Sequence, residues 1–375
     1  MSNHFTTVKI ENFKSIREMK FDCRRINLFI GEPNVGKSNI LEALGLFSAP
    51  YSSHNIKPSS KESNYFGWDQ IRYKDLADIF FFQNTGKPIV VKTDKGIAHF
   101  ELRIPEREEY EFYITATEEQ LNTLKASLGN SDFQNKLKKV RENSITEFLP
   151  NYYLNMHKDG DVSYHAADRT VFSYAGFVKK YLFNSTLFKS EKHHSRFSTS
   201  LLPSYGSNLF TILQGNPQLG ELVTGLFKKY DRELVFIQNT AEYVIQRKLG
   251  SVANQLPYDS IADTLQRIIF HFVAIRSNKD SVLLFEEPEA HTFPTYVTQI
   301  AQEIIDSETN QFFIASLSPY LVEKIIEKAP AEDVAVFVCN YEQHQTTVRE
   351  LTSEELSDIK KYNYDIIYNV SSFEK

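Results

Sequence analysis

The sequence predicts an α/β protein with a mostly parallel sheet, an antiparallel β lobe and a helical insertion. Three observations carry this. An apolar strand, a glycine loop and a helix follow one another near the N-terminus. From residue 258 onward, strands alternate with amphipathic helices, the order that builds a parallel sheet. Between these regions, short strand-like runs are punctuated by tight turns. At roughly one domain per 150 residues, the 375 residues suit two domains, or one core with a large insertion. The expected division is a core of 1–50 and 251–375, a β lobe of 51–115 and a helical or mixed insertion of 116–250.

Taken in order, residues 5–10 alternate like a short strand, and 26–30 (INLFI) read as a buried one. Ile40, Leu41, Leu44 and Phe47 repeat at helical spacing over 39–47. Residues 50–75 are polar and turn-rich. Strand-like runs at 79–82, 89–91, 98–104 and 111–114 flank the turns Gly86-Lys87-Pro88 and Asp94-Lys95-Gly96. Residues 117–148 are helical in pattern and carry the basic patch Lys136, Lys138, Lys139 and Arg141, read as a solvated face ahead of a DNA contact. No sustained heptads form a coiled-coil arm.

Residues 150–250 resist reading. Their basic cluster Lys189, Lys192, His193, His194 and Arg196 lacks metal-ligand spacing. Order returns with Ile261, Leu265, Ile268, Ile269, Phe272 and Ile275 on one helix face. A strand over 281–285, a helix marked by Tyr296, Val297, Ile300, Ile304 and Ile305, and a strand over 312–315 follow. Ser318-Pro319 opens another helix, and 334–339 is a last strand.

Composition excludes several classes. Hydrophobic residues at 41% and charged residues at 24% are ordinary for a globular chain. Only 14 Gly and 13 Pro exclude collagen-like and linker-rich architectures. With 42 basic against 48 acidic residues, the net charge of −6 argues against a surface that grips nucleic acid as a whole, but not against a local basic groove. Cys23 and Cys339 are too few for a disulfide framework or a cysteine zinc site, which fits a reduced, cytoplasmic location. No apolar run approaches the roughly 18 residues of a membrane span, and no secretory leader is evident, so no membrane partner is expected. The 20 Tyr, 29 Phe and single Trp are scattered, which favours core packing over base stacking.

The chemistry is concentrated in two motifs. Gly31-Glu32-Pro33-Asn34-Val35-Gly36-Lys37-Ser38 fits the phosphate-binding pattern G-x-x-x-x-G-K-[ST], with a strand before it and Asn39 opening a helix after it. Its glycines allow close backbone approach, and its amides and the helix N-terminus supply partial positive charge. Lys37 is expected to reach the β- and γ-phosphates of ATP, and Ser38 to ligate Mg²⁺. The second motif is the apolar strand Val282-Leu283-Leu284-Phe285 ending in Glu286-Glu287. Such pairs are common on surfaces, but with the loop the pattern is specific. Glu286 is expected in the Mg²⁺ shell, and Glu287 as the base that polarises the attacking water.

The opening VKIENFKSI, the loop continuing as NILEAL, the run LLFEEPEAHTFP and the Ser-Pro-Tyr helix start together resemble the ABC-type ATPases of the SMC/RecF/OLD group. More narrowly, they resemble the AAA-15/AAA-21 type and the overcoming-lysogenization-defect (OLD) family. The resemblance covers about residues 1–50 and 255–340. It implies a P-loop head that dimerises around two ATPs, as a homodimer or within a higher oligomer. Gly206-Ser207-Asn208-Leu209 after Leu202-Pro203 also looks like a motif of the group, with no role evident.

Two positions depart from the group. Leu317 stands where its Thr-His-Ser-Pro stretch carries a γ-phosphate-sensing histidine. Its signature motif is reduced to Ser260 without a glycine, which either serves a partner's γ-phosphate or caps a helix. His291 is either a contact across the dimer or a turn residue. The stretch after Tyr320 holds no Asp-x-Asp pair and no room for the Toprim nuclease of many OLD proteins. The expectation is therefore an ATP-dependent switch for a separate effector, in defence against phage or mobile DNA. A DNA-repair ATPase and a slowly hydrolysing nucleotide-binding scaffold stand as alternatives, and DNA itself is a weakly supported partner.

Overall fold

The computed structural model describes residues 2–49, 70–116, 150–157, 162–164, 176–184, 199–237, 239, 242–362 and 364–373. The basic patch at 136–141, the cluster at 189–196 and the helical pattern of 117–148 lie outside the described residues.

Strands β1 (Thr7–Phe13) and β2 (Ile16–Asp22) form an antiparallel hairpin, followed by β3 (Ile26–Ile30) and α1 (Lys37–Gly45). β4 (Ile89–Thr93), β5 (Gly96–Ile104), β6 (Glu109–Ala116), β7 (Pro150–His157) and β8 (Val162–Tyr164) come next. These pair antiparallel in the order β2-β1-β4-β5-β6-β7-β8. The lobe's sheet thus begins with the first hairpin and extends past residue 150, beyond the 51–115 expected for it.

The chain then adds β9 (Val178–Tyr181), α2 (Leu209–Gly215), α3 (Pro217–Lys228) and the antiparallel sheet β10 (Glu233–Ile237), β11 (Glu242–Leu249) and β12 (Val252–Pro257). The region expected as an insertion therefore lends β7 and β8 to the lobe and β9 to the central sheet.

The C-terminal half supplies α4 (Asp263–Ser277), β13 (Val282–Glu286), α5 (Pro294–Asp306), β14 (Gln311–Ala315), α6 (Pro319–Lys328), β15 (Val334–Glu342), β16 (Gln345–Glu350) and α7 (Ser353–Tyr362). The central sheet runs β16-β15-β3-β14-β13-β9, parallel throughout except for the edge strand β16.

Parallel strands buried on both faces read as unbroken apolar runs, and every residue of β3 and β14 is buried. Their alternation sorts side chains onto two cores. Leu283 and Phe285 pack with Ile268, Phe272, Ile300 and Ile325 of α4, α5 and α6. Val282 and Leu284 pack on the other face with Ile40, Leu41 and Leu44 of α1 and with the lobe residues Val8 and Ile10.

One expected strand is absent. Residues 79–82 form 3-10 turns, over Leu76–Ile79 and Phe81–Gln83. Asp75 accepts from the Ala77 N–H at 3.0 Å and Asp78 caps back onto the Asp75 N–H at 2.9 Å, which commits the segment to a turn. Only Phe80 keeps a strand-like bridge, to Phe13.

Candidate functional site

The loop between β3 and α1 is a tight crossing point. Gly31 has φ 149°, Asn34 63° and Gly36 99°. A Cβ on Gly31 would lie 2.5 Å from the Cys339 carbonyl oxygen, and one on Gly36 would lie 2.0 Å from Thr346 Oγ1. The glycines are required by these neighbours and by backbone conformations that L residues rarely adopt. Gly36 caps α1 without a side-chain acceptor, and no acidic residue sits in the first turn. A helix start with no side-chain cap and no acidic first turn is one that can take an anion.

Lys37 is nearly buried and donates its ammonium to the Gly31 carbonyl at 2.8 Å and the Glu32 carbonyl at 2.7 Å. Burial pushes its pKa down, against the pull of Cys339, Glu287 and Glu289. Three groups brace the loop from outside. Thr346 donates to the Val35 carbonyl at 2.8 Å, the Ser15 and Thr346 hydroxyls share a bond of 2.6 Å, and the Asn39 amide donates to Ser15 at 2.6 Å.

β13 lies beside β14, and its end delivers the two carboxylates to this loop. Glu286 accepts from Arg72 Nη2 at 2.9 Å, with Lys180 Nζ 3.8 Å from its other oxygen, and it shares the cavity wall with Ser38. Burial alone would raise its pKa, but Lys180, Ser38 and Arg72 hold it below the ordinary value. Glu287 turns the chain at φ 45° and donates its N–H to the Ala315 carbonyl at 2.8 Å. Ser38 and Glu286 thus present adjoining oxygens of the kind a hard divalent cation takes.

A cavity of about 590 Å³ opens over this arrangement. Of the loop candidates, Pro33, Asn34, Gly36, Lys37, Ser38 and Asn39 line it, and Glu286 and Glu287 form its other side. Gly31, Glu32 and Val35 stand behind, supplying carbonyls to Lys37 and Thr346. Leu317 also lines the cavity, so an apolar side chain occupies the end of the β14–α6 loop.

Ser260 is exposed in the 3-10 turn Tyr258–Ser260 and is not among the residues that line the cavity. The helix-cap alternative does not hold, because Ala262 caps α4. His291 sits in a turn at φ 55°, its carbonyl accepting from the Thr264 hydroxyl at 2.9 Å. Asn208 of the Gly-Ser-Asn-Leu motif is a local staple: it accepts from the Leu202 N–H at 2.8 Å and donates to the Ser200 carbonyl at 3.0 Å.

The sequence reading missed Arg72, Leu182, Phe183, Arg267 and His271, which complete the cavity wall. Arg267 lies 4.6 Å over the Phe183 ring. His271 Nδ1 donates to the Arg267 carbonyl at 2.8 Å, and burial pushes its pKa down to about 4, so it is neutral near pH 7. Among the described residues, no group of three or more His, Cys, Asp and Glu is placed to hold a metal. None of their helices is long and apolar enough to cross a membrane.

A parallel sheet with a phosphate loop after one central strand, a carboxylate pair at the end of the next strand but one and an antiparallel lobe defines a P-loop head of the ABC/SMC type. The chain belongs to the AAA ATPase domain family (AAA_15), which matches residues 5–238. The fold is similar to an SMC head crystallised with the C-terminal winged-helix domain of ScpA, with a TM-score of 0.50 and 14% identity over 95% of this chain and 100% of that one. An SMC head with an extended coiled coil, crystallised with the C-terminal domain of ScpA from Pyrococcus furiosus, matches with a TM-score of 0.49 and 12% identity over 96% and 99% of the two chains. An uncharacterized protein of Methanocaldococcus jannaschii is 34% identical over 89 residues, 23% of this chain. That stretch spans 40% of the relative's length.

Proposed function

We propose that this chain binds ATP in the cavity between the phosphate loop and Glu286-Glu287, hydrolyses it slowly, and uses it to switch a homodimer that controls a separate effector. The observation that carries this reading is one cavity lined by Lys37 and Ser38 of the loop on one side and by Glu286 and Glu287 on the other. The cavity sets the phosphate loop opposite the carboxylate strand.

In this reading Lys37 exchanges its two loop carbonyls for the β- and γ-phosphate oxygens. Gly36 and the α1 amides cradle the same phosphates. Ser38 and Glu286 would hold Mg²⁺, which neutralises phosphate charge in such sites. Glu287 orients the attacking water and takes its proton. Leu317 offers no donor to the γ-phosphate, and the neutral His271 offers no charge, which is why slow turnover is proposed. The exposed Ser260 is free to face a second protomer, and the SMC head crystallised with the winged-helix domain of ScpA gives a precedent for a head with a protein partner. A role in defence against phage or mobile DNA follows from the resemblance to the OLD family alone.

The test is phosphate release and ATP-dependent sizing of the parent and of Glu287→Gln. General-base help is worth about 10²- to 10⁴-fold. The variant should lose about that much turnover and accumulate as a dimer with ATP. An unimpaired rate with no ATP-dependent dimer would remove both the base and the switch.

A further inference from the structure

Lys180 lies on β9, in register with Leu284 of β13, and its side chain is almost wholly buried. Its backbone N–H donates to the Ser48 hydroxyl at 3.2 Å, and its ammonium donates to the Gln70 carbonyl at 2.6 Å. A Cβ added at Gly45 would come within 3.2 Å of its Cδ, so α1 leaves room for this side chain. The ammonium lies 3.8 Å from Glu286. Lys180 thereby ties together the carboxylate strand, the end of α1 and the segment that carries Arg72.

The charges around it are uneven. Glu42 is fully buried and pairs with Lys14 and with Arg72 at 2.8 Å. Arg72 also reaches Glu286 at 2.9 Å. Lys14, Arg72 and Lys180 therefore face Glu42 and Glu286, with one positive charge left over. A divalent cation arriving alone meets like charge there. A triphosphate meets attraction, because Glu286 is already compensated from within the protein.

We propose that Lys180 is a built-in counter-cation of Glu286, and that it lets a nucleoside triphosphate enter the cavity without a divalent metal. Lys180 is a positioning residue in this account: it acts on the phosphates through Glu286. The proposal rests on the nucleotide reading above.

The test is ATP binding by calorimetry, with excess Mg²⁺ and with a chelator, for the full chain and for Lys180→Met. The parent should bind ATP with chelator within about tenfold of its affinity with Mg²⁺, the scale of one compensated charge in a half-screened site. Lys180→Met should lose a further tenfold or more in chelator only, about the same scale. A parent that binds only with Mg²⁺ overturns the proposal, as does a variant that keeps its chelator affinity. Absence of binding in both buffers overturns the nucleotide reading and this one with it. A melting curve checks that Lys180→Met folds; if it does not, the parent's two affinities decide.

Discussion

Thr346 donates its hydroxyl to the Val35 carbonyl at 2.8 Å, a bond between residues 311 positions apart that braces the phosphate loop against β16. The same oxygen fills the space where Gly36 lacks a Cβ. Loop conformation and the last strand of the central sheet are therefore one packing problem.

Gly36→Ala should destabilise the chain by about 2–4 kcal/mol, from a strained φ of 99° and a Cβ placed 2.0 Å from Thr346 Oγ1. Thr346→Ala alone should cost about 1 kcal/mol for the lost hydrogen bonds. The double variant should be less destabilised than the sum, because the closest clash is relieved while the φ strain and the approach to Ser15 Oγ at 2.8 Å stay. Chemical denaturation measures all three. Strict additivity would show that the two residues do not meet as described.

The two adjacent carboxylates should differ in stability as well as in chemistry. Glu286→Gln leaves Arg72 and the buried Lys180 short of a counter-charge, and should cost on the order of 1–3 kcal/mol. It should also weaken Mg-ATP binding. Glu287 is in no ion pair among the described contacts, so Glu287→Gln should melt within a few degrees of the parent. Equal losses in both variants would contradict the charge cluster around Glu286.

Glu289 supplies a pH signature. Its Oε1 accepts from the Ser316 hydroxyl at 2.7 Å and the Leu317 N–H at 2.9 Å, while its Oε2 is buried without a partner. Burial raises its pKa above the ordinary 4.5, against the pull of those donors. A raised carboxyl pKa means that folding favours the protonated form. The parent's stability from this group is full below the ordinary value and declines as pH rises through the raised one. Glu289→Gln keeps the acceptor and cannot titrate. The stability difference between variant and parent should move in the variant's favour as pH rises above the ordinary 4.5. A difference independent of pH would mean that Glu289 does not titrate above its ordinary range.

Legibility followed how locally each feature is encoded. The loop at 31–38 and the strand ending in Glu286-Glu287 announce themselves because their chemistry depends on residues adjacent in sequence. The parallel strands were readable because double-sided burial leaves unbroken apolar runs such as Val282-Leu283-Leu284-Phe285. β9 was not, because Val178-Lys179-Lys180-Tyr181 buries two lysines through distant partners. Lys179 finds Ser200 and Asn278, and Lys180 finds Gln70 and Glu286. Arg72 escaped for the same reason: its partners Glu42 and Glu286 lie 30 and 214 positions away. The strand expected at 79–82 failed on turn chemistry, where the Asp75 and Asp78 caps overrode an apolar run.

The central claim is that the cavity between Lys37 and Glu286-Glu287 is a nucleotide site. The most direct measurement is calorimetric titration of ATP into the parent and into Lys37→Ala. Water cannot replace a lysine charge on the β- and γ-phosphates in this loop. The account predicts saturable binding by the parent and no resolvable binding by the variant, with both proteins folded by their melting curves. A Lys37→Ala protein that binds ATP like the parent would contradict it.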